Sequence, residues 1–188
     1  VFSDAEKIAI RKSWRLLIPI ADTVADLFYR RLFELAPHYR ELFAEDMGGQ
    51  KKKLIRMLAF IVKSMEWNDE QWADSVNPEE DLMLVVLALG RRHTHLYRVP
   101  KEAYATVGDA LMWTLQQGLG DALDPKTRAA WALLYELLSK AMMMAGAVEV
   151  EGDISAADAE RNGEAALLTQ LAAAGIDDAR LGIQEELS

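Results

Sequence analysis

Hydrophobic periodicity along this chain of 188 residues is helical throughout, which predicts an all-α protein. Two further observations point the same way. Capping residues and prolines punctuate the sequence at intervals of about one helix, and no stretch alternates apolar and polar residues long enough to read as a strand. Apolar residues make up 51% of the chain, enough to bury a sizeable core. The expectation is a body of seven or eight helices over residues 1–147. A short acidic, alanine-rich and partly helical C-terminal extension follows at 148–188.

Ser3 and Glu6 make an S-x-x-E capping box that opens the first helix, with Ile8, Trp14, Leu17 and Ile18 as its apolar positions. Pro19 ends or kinks it. A second helix is expected from about Asp22 to Leu35, burying Val24, Leu27, Phe28, Leu32 and Leu35. Pro37 starts a short helical turn towards Phe43, and Asp46–Gly49 reads as a loop. Leu54, Leu58 and Ile61 recur at helical spacing, which predicts a helix from about Gln50 to Met65. Residues 66–79 read as a longer connection. The acids Glu79, Glu80 and Asp81 suit the positive end of the next helix, which closes on Arg91, Arg92 and His93. Pro100 begins a long helix to about Gly118. Asp124-Pro125 is an N-cap followed by a first-turn proline, opening a helix to about Gly146 that buries Trp131, Leu134, Tyr135 and Leu138. Two short helices are expected in the extension, near 155–162 and 164–174.

Charge divides the chain. Formal net charge is −9, and residues 149–188 hold ten acids against two bases, leaving 20 acids and 19 bases in the first 148 residues. This balance argues against nucleic acid or an anionic membrane as the main partner. Cysteine is absent, which excludes disulfides, a thiolate nucleophile and cysteine-based metal sites. The longest apolar run, Leu82 to Leu89, is far shorter than the roughly 20 residues of a membrane span. Asp4, Glu6 and Lys7 interrupt any apolar leader at the start, so a cytoplasmic protein is expected.

Conventional catalytic motifs are missing as well. The sequence contains no G-x-S-x-G, no phosphate-binding glycine loop and no H-E-x-x-H. Its only histidines are His38, His93 and His95. His93 lies four residues after Leu89 and seven after Val86, so on a helix it shares their apolar stripe. Spacing leaves three readings open: a buried imidazole bonded to a carbonyl, one fraying at a helix end, or a metal ligand. His95 is turned towards another face, more consistent with solvent. Gln50 and Leu54 form an i, i+4 pair flanked by Lys53, either an ordinary amphipathic face or one wall of a site. Tyr29, between Phe28 and Leu32, reads by default as a half-buried core tyrosine with its hydroxyl at the rim.

These positions form an ordered set: Phe28-Tyr29, Leu32-Phe33, Pro37, Leu42-Phe43, Gln50, Leu54, Leu89-Gly90-Arg91-Arg92-His93, Tyr104 to Gly108, Ala130-Trp131 and Tyr135. In order and spacing it resembles the globin family, above all single-domain bacterial haemoglobins, the haem domain of flavohaemoglobins, and neuroglobin. The resemblance runs from residue 1 to about 147. Its most specific part is the combination of Pro37, Phe43 and the L-G-R-R-H segment.

The resemblance implies haem b (iron protoporphyrin IX) between a distal helix at 50–65 and a proximal helix at 80–95, with His93 as the axial iron ligand. One protein ligand leaves the far side of the iron open to O2, NO, CO or peroxide. Phe43 matches the aromatic residue that stacks on the porphyrin. Leu54, Leu58, Leu89, Arg92, Val99, Tyr104 and Val107 would contact it, and Lys53 would pair with a propionate for at most about 1 kcal/mol. Tyr29 and Gln50, with Leu54, match a distal set whose O–H and N–H groups stabilise a ligand that takes up negative charge. High O2 affinity follows from that match.

One position departs from the family's pattern. Flavohaemoglobin-type proteins carry a glutamate below the proximal histidine where this chain has Gly146, so strong peroxidase-type activation is not expected. The resemblance implies O2 binding, with nitric oxide dioxygenation or weak peroxidase activity if a separate reductase supplies electrons. Two alternatives remain: a haem-based gas sensor that signals to a partner through residues 149–188, and a haem-free interaction module. For the extension itself, a solvated tail or a cap on the body is the other reading.

Overall fold

The computed structural model describes residues 2–43, 46–65 and 78–147. Among these the architecture is all-α, with short 3₁₀ turns and one π turn between the helices and no strand. The six helices are α1 (Asp4–Leu17), α2 (Ala21–Leu35), α3 (Met47–Ser64), α4 (Pro78–Arg91), α5 (Lys101–Leu119) and α6 (Pro125–Gly146). No described helix is long and apolar enough to cross a membrane.

Local chemistry sets most of the boundaries. Ser3 and Glu6 complete the capping box: the Ser3 N–H donates to Glu6 Oε2 at 2.7 Å, and the Glu6 N–H donates to Ser3 Oγ at 3.3 Å. Pro19 lies in a 3₁₀ turn, Ile18–Ile20, that separates α1 from α2 without a long loop. Asp124 caps α6, accepting the Thr127 N–H at 2.7 Å, with Pro125 in the first turn.

Two boundaries differ from expectation. Asp46–Gly49 is not a loop: Asp46 is the N-cap of α3, its carboxylate accepts the Gly49 N–H at 2.9 Å, and Met47–Gly49 form the first turn. The cap outweighs the poor helix propensity of two glycines. Pro78 and Glu79 belong to α4 rather than to the preceding connection, which suits proline's place in a first helical turn. The rest of that connection, residues 66–77, and both helices expected beyond residue 147 lie outside the described residues.

Each helix buries one stripe. On α2 this is Ala21, Val24, Ala25, Phe28, Tyr29, Leu32 and Phe33, a 3.6-residue pattern that faces α5 and α3. Leu35, expected inside, is 42% exposed; it ends the helix, and Ala36 takes the buried place as the chain turns away. Ile8 is likewise exposed, and Ile10 fills the core position instead. α6 packs between α1 and α4. Its Trp131, buried at 1% exposure, donates from Nε1 to Ser13 Oγ at 2.9 Å, so the indole N–H is satisfied inside the core.

Candidate functional site

The α4 helix ends at Arg91 and continues as a π turn, Arg92–Leu96, which carries His93. Its wide geometry shows in the Tyr97 N–H donating to the Arg92 carbonyl at 2.9 Å, and beyond it the Val99 N–H donates back to the His93 carbonyl at 2.7 Å. The sequence predicts a plain helix end here. A single extra residue in a turn has no periodic signature, so the π turn was not legible.

His93 Nδ1 lies 2.9 Å from the Leu89 carbonyl oxygen. A carbonyl can only accept, so Nδ1 carries the hydrogen and, in the neutral ring, Nε2 keeps its lone pair. Burial pushes the pKa of the ring down, the Leu89 hydrogen bond raises it by less, and Arg92 adds a still smaller lowering, so the neutral form is favoured. The imidazole stands 6.0 Å from the Tyr97 ring and 6.5 Å from the Tyr104 ring, centre to centre.

Two polar atoms beside it have no hydrogen-bond partner: the buried Tyr104 hydroxyl and Arg92 Nε. Tyr104 is held through its main chain, because Tyr135 donates its hydroxyl to the Tyr104 carbonyl. His95 points outward and is exposed.

A second cluster forms between α2 and the start of α3. Tyr29 is buried, with its ring edge-on to Phe28 at 5.1 Å and to Phe43 at 5.3 Å. Its hydroxyl donates to the main-chain carbonyl of Gln50 at 3.3 Å. The fold therefore joins Tyr29, Phe43 and Gln50, which are widely separated in sequence. Burial raises the Tyr29 phenol to about 12, so it stays protonated across the physiological range. The default reading of a half-buried tyrosine is corrected: the ring is inside because Phe28, Phe33 and Phe43 surround it.

Phe43, Leu54, Leu58, Val99 and Val107 are half-buried apolar side chains that pack on the core with part of their surface left open. Leu89 is also half-buried, and Lys53 is exposed along the same helix as Gln50 and Leu54.

A flat iron macrocycle fits this inventory. Among the described residues there is no group of three or more His, Asp or Glu side chains able to hold a bare metal ion. A single imidazole with a free Nε2 suits a metal that brings its other ligands with it, as iron in a porphyrin does. The unpaired Tyr104 hydroxyl and Arg92 Nε are donors in want of an acceptor.

Gly90 and Gly146 were missed as structural determinants, as was Thr94. A β-carbon on Gly90 would stand 2.3 Å from the Met142 carbonyl oxygen, and one on Gly146 would stand 2.0 Å from Thr94 Oγ1. A glycine inside an apolar helical pattern was the available signal. At Gly146, Thr94 occupies the space that a side chain would need.

Comparison with known proteins identifies the family. The family model described as Globin matches residues 26–142. Neuroglobin from Danio rerio is 30% identical over 146 residues, covering 74% of this chain and 89% of that protein. Neuroglobin from Chaenocephalus aceratus is 32% identical over the same length and coverage. A solved structure of the closed form of the HGbRL's globin domain is 31% identical and covers 77% of this chain and 96% of that one, with a TM-score of 0.34. With the family's model spanning more than half of the chain and neuroglobins 30% or more identical to it, the chain belongs to the globin family, whose members hold haem and bind gases.

Proposed function

We propose that this globin holds haem b through His93 Nε2 and binds O2, and with it NO, CO or peroxide, on the opposite face. The supporting observation is the commitment of His93 Nδ1–H to the Leu89 carbonyl, which leaves Nε2 as the one basic nitrogen of a half-buried, neutral imidazole. Haem supplies the iron at which a diatomic ligand binds.

The chain's own residues do the rest. Phe43, Leu54, Leu58, Leu89, Val99, Tyr104 and Val107 enclose the macrocycle and exclude water. Arg92 and Lys53 pair with its propionates. Tyr29 and Gln50 supply donors on the ligand side. The Tyr29 phenol is suited to this because its raised pKa keeps the hydrogen on the oxygen. Its bond to the Gln50 carbonyl is long at 3.3 Å, so it can be exchanged for a better acceptor.

His93 donates to a neutral carbonyl rather than to a carboxylate. The imidazole is therefore weakly polarised, which favours ligand binding over peroxidase-type chemistry. With electrons from a separate reductase, the same site would convert O2 and nitric oxide to nitrate.

The test is haem reconstitution of wild type and His93→Gly. Wild type should give ferrous and CO-bound spectra of histidine-ligated haem. The variant should lose that signature and regain it with added imidazole. A His93→Gly spectrum identical to wild type would overturn the assignment.

A further inference from the structure

Gly90 and Gly146 sit on two helices that meet closely, with main chain against Gly90 and the Thr94 side chain against Gly146. The β-carbon that Gly90 lacks would stand 2.3 Å from the Met142 carbonyl oxygen and 2.6 Å from Met142 Cα, both main-chain atoms of α6. The one that Gly146 lacks would stand 2.0 Å from Thr94 Oγ1, 2.8 Å from Thr94 Cβ and 3.4 Å from the Gly90 carbonyl oxygen. The two contacts bracket His93 along the chain, three residues before it and one after. Between them the α4 helix gives way to the π turn. His93 leaves this seam on the side of Tyr104, with its Nδ1 anchored one turn back on Leu89.

The geometry points to Gly90, Thr94 and Gly146 as positioning residues: their main-chain seam with the end of α6 sets how far His93 reaches towards the iron. This inference rests on the proposed role of His93. Its physical basis is that a packed helix pair does not deform smoothly. The atoms nearest the missing Gly90 β-carbon are main chain of α6, which yields less readily than a side-chain tip, so volume added at the seam moves the π turn as a unit, and volume removed lets it settle back. His93, one residue from Thr94, moves with it. The axial bond is sensitive to that movement, whereas the ligand-side residues Tyr29 and Gln50 are on other elements and stay in place.

The test uses the full-length protein loaded with haem, read by the iron–histidine stretching band of the ferrous form. Gly146→Ala overfills the seam and Thr94→Ala underfills it, so the two should shift the band in opposite directions. The double variant should return towards wild type. Gly118→Ala, on α5, is the control for general overpacking: its β-carbon would meet the Leu17 side chain of α1 at 2.7 Å, so it should lower the melting temperature with the band unmoved.

Should Gly146→Ala fail to fold, Thr94→Ala alone decides, since a small deletion at a half-buried site is tolerated. An unshifted band in Thr94→Ala, or equal shifts from Gly118→Ala, would overturn the proposal. A wild-type protein with no iron–histidine band would instead overturn the role of His93 itself.

Discussion

Tyr29 combines two properties that rarely coincide, a buried ring and a hydroxyl with an exchangeable partner. As a ligand-side donor it should account for one hydrogen bond of about 1–1.5 kcal/mol. Tyr29→Phe should therefore raise the O2 dissociation rate about five- to tenfold in stopped-flow measurements, and an unchanged rate would place the hydroxyl away from the ligand. The same residue makes an alkaline prediction. Its folded-state pKa, about 12, lies above the ordinary tyrosine value of 10.0, so its contribution is fully present below pH 10. Above that, the unfolded chain releases the proton while the folded chain retains it. Stability then falls by about 1.4 kcal/mol per pH unit until the folded group also ionises. Tyr104 and Tyr135 are raised too and add to the slope in the same direction. Urea titrations between pH 9 and 11 should show a shallower fall in Tyr29→Phe than in wild type.

Helix pairing gives two further expectations. Trp131 on α6 donates to Ser13 on α1, a hydroxyl that itself donates to carbonyls one turn earlier. Ser13→Ala strands a buried indole N–H and should destabilise the protein by about 1–3 kcal/mol in urea unfolding. Where α4 meets α6, Gly90→Ala places a β-carbon against main chain rather than against a movable side chain. It should cost about 2–3 kcal/mol. A neutral result would mean that the two helices can part without loss.

At the level of the molecule, the charge of the extension is separable from the body. Removing residues 148–188 takes formal charge from −9 to about −1 on the counts of each part. The truncated protein should bind anion exchanger far more weakly and be less soluble near neutral pH. As the core of the described residues lies between Phe2 and Leu138, the truncated protein should unfold in one transition within a few degrees of the full chain. Its O2 dissociation rate tests the sensor alternative, because α6 ends at Gly146, against the residue next to His93. A rate changed severalfold would show that the extension acts on the site. An unchanged rate would leave relay through it without support.

What could be read from residues alone was local. The capping box at Ser3, Pro19, the cap at Asp124 and the apolar stripes each act within a turn or two of chain, so the helices and the all-α class followed directly. His93 could be singled out by its stripe, but spacing left it between carbonyl partner and metal ligand. The structure places its Nδ1 on Leu89 and so frees Nε2. Tyr29, Phe43 and Gln50 were legible as a set only through family resemblance, since nothing local tells one that three distant residues meet. The π turn, the unpaired Tyr104 hydroxyl and the Gly90–Gly146 seam were not legible at all. Each depends on how closely two helices approach, a distance set by packing of whole elements, which no window of sequence contains.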